Sequence, residues 1–144
     1  MGSKNKLKKF NENLNFKNLF QPNRDDILNS NFKFKGRWND YFENSNPITL
    51  ELGCGKGEYS FELAKKYHNR NFIGIDIKGA RIWTGAKKST NLKMKNICFI
   101  RTNIDLIGNL FSDSEIDEIW ITLDRKSTRL NSSHSSVSRM PSSA

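Results

Sequence analysis

Short apolar runs alternate with helix-like stretches between residues 47 and 123. The runs are rich in β-branched and aromatic residues, which is typical of buried strands. They cover residues 48–53, 71–77, 97–102 and 118–123. Between them, apolar residues recur at helical spacing and predict three helices. Their apolar faces are Tyr59, Leu63, Ala64 and Tyr67 for the first, Ala80, Trp83 and Ala86 for the second (which ends near Asn91), and Ile107, Leu110 and Phe111 for a short third.

This alternation of strand and helix with short links predicts parallel strands joined by right-handed crossovers. Because the strands are apolar almost throughout, we expect helices on both faces of the sheet. The fold class is therefore α/β and Rossmann-like.

Residues 1–46 differ from this pattern and form a basic, aromatic-rich amino-terminal arm. They contain nine Lys and Arg against five Asp and Glu, and six of the ten phenylalanines. One interpretation is a flexible arm that contacts RNA, since charge and aromatic rings alternate along it. The alternative is that the rings dock on the domain. The residues concerned are Lys4, Lys6, Lys8, Lys9, Phe10, Phe16 and Phe20.

Composition excludes several classes of protein. The 144-residue chain has a net charge of +9, which favours either solubility alone or a polyanionic partner. No apolar run approaches the roughly 18 residues of a membrane helix, and the basic amino terminus lacks the apolar region of a secretion signal. Cys54 and Cys98 are too few for a disulfide scaffold or a four-thiolate zinc site. We expect a cytoplasmic protein with no metal and no membrane contact.

Residues 124–144 have a composition of their own, with eight serines and four basic residues against one acidic residue. Segments 124–134 and 138–144 can be back-translated into the two ends of a common sequencing-library adapter. The three residues between them leave room for an index. We therefore expect a non-native, disordered tail, with a disordered basic terminus as the alternative. The α/β domain half that precedes it, 47–123, would then stop after its fourth strand and leave that strand as a bare apolar edge.

Candidate chemistry begins where the first strand meets the first helix, in the sequence ELGCGKGE. Gly53, Gly55 and Gly57 allow backbone angles that a Cβ forbids and let a ligand approach the main chain. The G-x-G-x-G spacing differs from the G-x-G-x-x-G of pyrophosphate binders and lacks the GK[ST] of a P-loop. A glycine turn without a ligand remains the alternative.

Three polar residues at strand ends complete the candidate site. Glu51 precedes the glycines, where it would repel a pyrophosphate but accept a cationic sulfonium with an amino group. Asp76 ends the second strand, where a carboxylate can accept hydrogen bonds from both ribose hydroxyls; capping of the next helix is its alternative role. Asn103 follows the third strand and either contacts an adenine edge or caps the following helix. Together these residues point to S-adenosyl-L-methionine.

The blocks ELGCGKGE and IGIDIKGAR, with FKGRWNDYFENSNP and EIDEIWIT, resemble the bacterial tRNA (guanine-N7-)-methyltransferase family over residues 1–123. The resemblance implies a class I methyltransferase fold and S-adenosyl-L-methionine as cofactor. It implies that Glu51, Asp76 and Asn103 bind the cofactor together with the glycines. It also implies tRNA as substrate, with the guanine-binding groups beyond residue 123, so that no catalytic residue is assigned and this chain is expected to be an inactive fragment.

Three other functions remain open from the residues. A nicotinamide oxidoreductase shares the fold, although Glu51 and the glycine spacing disfavour it. A class I methyltransferase could act on another RNA or on a protein. A non-catalytic RNA-binding module could use the basic arm beside a vestigial cofactor site. Oligomeric state is not indicated by any pattern.

Overall fold

The computed structural model describes the backbone of residues 3–122 and 136–138. Within this part of the chain, no helix is long and apolar enough to cross a membrane. Its elements alternate as the pattern predicts after residue 47, with extra elements before it. They are α1 (Ser3–Asn13), β1 (Leu19–Phe20), α2 (Arg24–Ser30), α3 (Trp38–Phe42), β2 (Ile48–Leu52), α4 (Glu58–Lys66), β3 (Asn71–Asp76), α5 (Gly79–Asn91), β4 (Ile97–Arg101), the 3-10 helix η1 (Ile104–Leu106), α6 (Ile107–Leu110), β5 (Glu118–Ile121) and β6 (Ser136–Ser138).

The sheet has the order β1-β4-β3-β2-β5-β6. β1 to β5 run parallel, and only β6 is antiparallel to its neighbour. The chain steps outward from β2 through β3 to β4, then crosses back to place β5 on the other side of β2. The α/β, Rossmann-like prediction is confirmed, and the strand order reverses between β2 and β5. Open α/β sheets bind ligands at this reversal, beyond the carboxyl ends of the strands.

Helices cover both faces of the sheet. Alternate strand residues point to opposite sides, and the residues on both sides are apolar. On one face, Ile73 and Ile100 pack with α2, α3 and α6. On the other face, Phe72 and Phe99 pack with α4 and α5. The sheet is thus buried on both sides, as near-continuous apolar strands require.

Two predicted helical faces need correction. In α4 the buried side chains are Ser60, Phe61 and Ala64. Tyr59, and Tyr67 just after the helix, are 39 % and 40 % exposed. The amphipathic pattern predicts both tyrosines inside because it counts a ring as apolar, although their hydroxyls favour contact with water. In α5, Ile82, Gly85 and Ala86 face the sheet, while Trp83 lies half-buried.

The amino-terminal region packs against the domain, as expected if its aromatic rings dock there. Trp38 is fully buried among aromatic rings below the sheet and donates from Nε1 to the carbonyl of Leu110 at 2.9 Å. Phe20 packs edge-on against Trp38, with ring centroids 6.0 Å apart. On the opposite face, α1 lies along α5. These elements therefore supply part of the core.

The free side of β5 is occupied by β6, which pairs Ile119, Trp120 and Ile121 with residues 138, 137 and 136. The expected bare edge is therefore partly covered. An apolar edge strand exposes unpaired N–H and C=O groups and readily accepts another segment. The remaining predictions for the tail concern Leu123, 124–135 and 139–144, which lie outside the described residues.

Candidate cofactor-binding site

A cavity of about 750 Å³ opens at the carboxyl ends of β2, β3, β4 and β5. This volume lies within the range of small-molecule sites, about 300–1,000 Å³. Five of the six predicted site residues line it, because the carboxyl ends of parallel strands meet at one edge of the sheet. They are Glu51, Gly53, Gly55, Asp76 and Asn103. The sixth, Gly57, lies outside its lining.

The glycine turn between β2 and α4 adopts the left-handed backbone that its composition predicts. Gly53 has φ of +76°, and a Cβ built there would lie 2.7 Å from the carbonyl oxygen of Thr122. Gly57 has φ of +74°, and a Cβ there would meet the Phe99 ring at 2.6 Å. Gly57 therefore serves to begin α4 close to β4, whereas Gly55 faces the cavity.

Glu51 is buried at the floor of the cavity, with only 3 % of its surface exposed. Ser60 donates its hydroxyl to Oε1 at 2.6 Å, and Thr122 donates to Oε2 at 2.6 Å. Burial raises the pKa of Glu51, and the nearby Asp76 adds to the rise, while the hydrogen bonds from Ser60 and Thr122 oppose it. A carboxylate has about four acceptor positions, so Glu51 can also accept a cationic donor from the cavity.

Asp76 ties the glycine turn to the start of α5. Its Oδ2 accepts from the Gly55 N–H at 2.7 Å, and its Oδ1 accepts from the Lys78 N–H at 2.8 Å. A carboxylate has about four acceptor positions, so two remain for a ligand. The structure thus shows the local backbone role of Asp76 and leaves it able to bind two hydroxyls.

Asn103 performs the capping role that was its alternative. It precedes η1, and its Oδ1 accepts from the Asp105 N–H at 3.3 Å. Its side chain is exposed and also lines the cavity, so its Nδ2 donor group stays available for a ligand.

The sequence interpretation missed several side chains at this cavity. Ser60 and Thr122 hold Glu51, although they lie 9 and 71 positions from it in the chain. One signal in the sequence could have indicated Thr122. It lies near the end of the fourth predicted strand, and in a parallel sheet that position lies beside the start of the glycine motif. Lys56, Lys78 and Arg81 add positive charge to the lining, and Tyr59 adds a ring that packs edge-on against Trp120 at 5.1 Å.

Cys54 lies in the same turn and is buried. Burial raises the pKa of its thiol, and Glu51 and Asp76 raise it further. A protonated thiol is a poor nucleophile, so Cys54 acts here as a small buried side chain. Within the described residues, no group of three or more His, Cys, Asp or Glu side chains could hold a metal ion.

Known proteins resemble this chain over the same region. A family model described as "Putative methyltransferase" matches residues 45–123. A tRNA (guanine-N(7)-)-methyltransferase of Christiangramia forsetii is 54 % identical over 123 residues, which are 85 % of this chain and 55 % of that protein. The protein of the same name from Bacteroides fragilis is 47 % identical over 120 residues, 83 % of this chain and 48 % of that one. The chain thus spans about half the length of these relatives.

Among solved structures, one described as an antibiotic-related methyltransferase aligns with 60 % of this chain and 44 % of its own. The TM-score is 0.47 and the identity 19 %. The strand order of the chain itself defines its α/β, Rossmann-like fold.

Proposed function

Because this chain belongs to the methyltransferase family that matches residues 45–123, we propose that it forms the amino-terminal half of an enzyme that methylates guanine N7 in tRNA with S-adenosyl-L-methionine. The observation that carries this proposal is the pairing of two carboxylates, Glu51 and Asp76, with the glycine turn in one cavity at the strand-order reversal. The substrate follows from the relatives, whose names give tRNA guanine N7 as the methylated position. Such an enzyme works in the cytoplasm, where tRNA is processed.

The residues present fit a cationic nucleoside cofactor. The cavity presents main chain at Gly53 and Gly55, where no Cβ fills the space, and a Cβ at Gly55 would find its nearest neighbour, Arg81, only at 3.8 Å. Asp76 has two acceptor positions left for ribose hydroxyls, and Asn103 can donate from Nδ2 to an adenine edge. Glu51 lies across the turn from Asp76 and suits the ammonium or sulfonium end of the cofactor.

When bound, S-adenosyl-L-methionine supplies a methyl carbon activated by positively charged sulfur, and a ring-nitrogen lone pair can take it without losing a proton. The chain therefore needs no general base at this step, and its residues act by binding and orientation. Glu51 and Asp76 hold the two ends of the cofactor. The glycine turn, fixed by the Gly55–Asp76 hydrogen bond, sets their separation.

Charge supports RNA as the second partner. Residues 1–123 contain 20 Lys and Arg against 14 Asp and Glu, and Lys6 and Lys8 are exposed on α1. Nucleic-acid binding draws much of its affinity from such phosphate contacts. A second candidate, a non-catalytic RNA-binding module, shares this feature, so the experiment must measure methyl transfer.

The test uses a chimeric protein in which residues 1–122 continue into the carboxyl-terminal half of the Christiangramia forsetii relative. We expect it to bind S-adenosyl-L-methionine in isothermal titration and to form 7-methylguanosine in unmodified tRNA, detected by mass spectrometry of the nucleosides. The matched variant Asp76→Asn keeps the size of the side chain and should weaken binding of S-adenosyl-L-methionine, with formation of 7-methylguanosine reduced accordingly.

Three outcomes would contradict the proposal. Binding of NAD in place of S-adenosyl-L-methionine would indicate an oxidoreductase. Binding of tRNA without methyl transfer would indicate the RNA-binding module. Methylation of a protein or of another RNA, with tRNA unchanged, would retain the enzyme class and reject the substrate. The 144-residue chain alone is expected to transfer no methyl group.

A further inference from the structure

The three residues after Asp76 form the link between β3 and α5, here called the 77–79 link. Ile77 and Lys78 line the candidate cavity, and Gly79 begins α5. The position of this link fixes where the nucleoside end of a cofactor can lie, because it borders the Asp76 carboxylate. The partners that accept from or donate to its backbone N–H and C=O groups therefore hold the link in place.

Two side chains outside the link hold its carbonyl groups. Arg101, at the end of β4, donates from Nε to the Ile77 carbonyl at 3.2 Å. Asn13, the last residue of α1, donates from Nδ2 to the Gly79 carbonyl at 3.0 Å. The third carbonyl, of Lys78, accepts from the N–H groups of Arg81 and Ile82 within α5. One of the two external hydrogen bonds thus comes from the amino-terminal helix, 66 residues away in sequence.

The end of α1 fits closely around this link. Asn13 is 1 % exposed, and its Oδ1 has no hydrogen-bond partner among the described residues. The Phe10 ring lies under the Arg101 guanidinium, 5.7 Å from its centroid. A Cβ built at Gly79 would meet Arg101 Cδ at 3.0 Å and the Phe10 ring at 3.3 Å. A glycine is thus needed at position 79 for α1 to approach.

A second polar contact in the same interface lies farther from the cavity. Glu12 accepts from Trp83 Nε1 at 2.8 Å, and Lys9 and Lys87 both lie 4.8 Å from the Trp83 ring centroid. Trp83 is not part of the cavity lining. The α1–α5 interface therefore has a polar contact on the 77–79 link, from Asn13, and a separate group of polar contacts around Trp83 and Lys87 that only attaches the helix.

We propose that Asn13 is a positioning residue for the nucleoside end of the cofactor: its amide holds the 77–79 link so that Asp76 meets the ribose. A buried amide whose carbonyl oxygen stays unpaired is an expensive way to attach a helix, since an apolar residue would avoid that desolvation. Among the described residues, the hydrogen bond that this side chain does make falls on the link beside Asp76. This inference rests on the proposed function and adds a residue that the glycine motif does not contain.

The experiment measures cofactor affinity in the chimeric protein described above, with Asn13→Ala as the variant and Glu12→Ala as the matched control. Asn13→Ala removes the polar contact on the link, and Glu12→Ala removes the contacts of Glu12 with Trp83 and Lys87. We expect Asn13→Ala to weaken binding of S-adenosyl-L-methionine and of adenosine alone by about 10-fold, a size expected when one well-placed hydrogen bond is removed. Glu12→Ala should change either affinity by less than about 2-fold, since its partner lies outside the cavity.

A double variant separates positioning from general loosening of the fold. If Asn13 acts through Asp76, then adding Asn13→Ala to Asp76→Asn should lower the affinity for S-adenosyl-L-methionine little further. Adding Asn13→Ala to Glu51→Gln should still lower that affinity by the full amount. Equal losses of affinity for Asn13→Ala and Glu12→Ala would overturn the inference, as would additivity with Asp76→Asn. If the unmodified chimera binds no S-adenosyl-L-methionine, it is the proposed function that fails, because this control precedes every variant.

Discussion

At the scale of the residue, Glu51 shows how the site and the fold make opposite demands on one side chain. Its carboxylate is buried between α4 and β5, and burial disfavours its charged form. Two hydroxyl donors, Ser60 and Thr122, reduce this cost without removing it. A cationic ligand would stabilise the same charge, so we interpret the raised pKa as a sign of a binding role.

Replacing Glu51 by Gln tests this interpretation. Because the folded-state pKa of Glu51 lies above its ordinary value of 4.5, the native protein binds this proton more tightly than the unfolded chain does. The favourable contribution is fully present below pH 4.5 and is lost as pH rises through the raised pKa. Over that window the free energy of unfolding of the wild type should fall relative to Glu51→Gln in urea titrations, while at neutral pH the variant loses cofactor affinity by about 1.5–3 kcal/mol.

The control for Glu51→Gln is Glu58→Gln, which removes an exposed carboxylate from the lining of the same cavity. Because that carboxylate is exposed to solvent, its removal should change cofactor affinity by less than Glu51→Gln does. A wild-type stability that rises across the same window would show that burial does not disfavour the charged form of Glu51.

Gly53 supplies a second prediction at the residue scale. Gly53→Ala would force a Cβ to within 2.7 Å of the Thr122 carbonyl oxygen at a φ of +76°. We expect the free energy of unfolding to fall by about 1–3 kcal/mol, the cost of a strained backbone position. Gly108→Ala is the control, since a Cβ there has no neighbour within 4 Å, and in a helix it should raise stability by up to about 1 kcal/mol. Equal effects in urea titrations would contradict the assigned turn.

At the scale of the element, β5 depends on what lies beside it. Its pairing with β2 is parallel and covers the whole strand, whereas its other side is covered by only three residues of β6. Ile121, the last residue of β5, is 41 % exposed. An apolar edge with so little cover promotes association between chains.

We therefore expect a chain shortened to residues 1–122 to associate more than the 144-residue chain, as measured by light scattering at matched concentrations. Ile121→Lys should restore the monomer, because a charge on an edge strand opposes pairing. The control is Ile77→Lys, which removes an exposed apolar residue (53 %) away from the free edge and should not restore it. If both lysines are equally effective, general solubility rather than the edge is responsible.

At the scale of the whole molecule, positive charge is spread over the surface while the cavity holds charges of both signs. The outer side of α1 carries Lys6 and Lys8, and Lys93 and Lys95 precede β4 at the amino-terminal edge of the sheet, opposite the cavity. Because α1 ends beside the cavity, where Asn13 contacts Gly79, we expect a tRNA at the cavity edge to contact Lys6 and Lys8 before Lys93 and Lys95.

In the chimeric protein, the logarithm of the tRNA binding constant should therefore decrease linearly with the logarithm of the salt concentration. Neutralising Lys6 and Lys8 with glutamine should reduce the slope by about 1 for each phosphate that the protein no longer neutralises. The matched change at Lys93 and Lys95 should leave the slope unchanged. Filter binding at several salt concentrations measures both, and equal effects would indicate non-specific attraction in place of a defined face.

The order of elements after residue 47 could be predicted from the sequence because it depends on local patterns. The four apolar runs and the glycines between them restrict the backbone directly, and the predicted strands differ from the observed ones by one or two residues at their ends. The first 46 residues could not be placed in this way. Nothing local shows that Leu19 and Phe20 join β4, or that α1 lies on α5, since those contacts depend on surfaces that exist only after folding.

The sequence by itself determined the α/β alternation, the glycine turn and the presence of carboxylates at two strand ends, because short-range sterics and hydrophobic periodicity encode them. Only the tertiary structure decided that Thr122 and Ser60 both hold Glu51, that Gly57 supports α4 outside the cavity lining, and that Asn13 reaches the 77–79 link. Each of these depends on distances between separate segments of the chain. Such distances are set by how helices and strands pack, which no local pattern records.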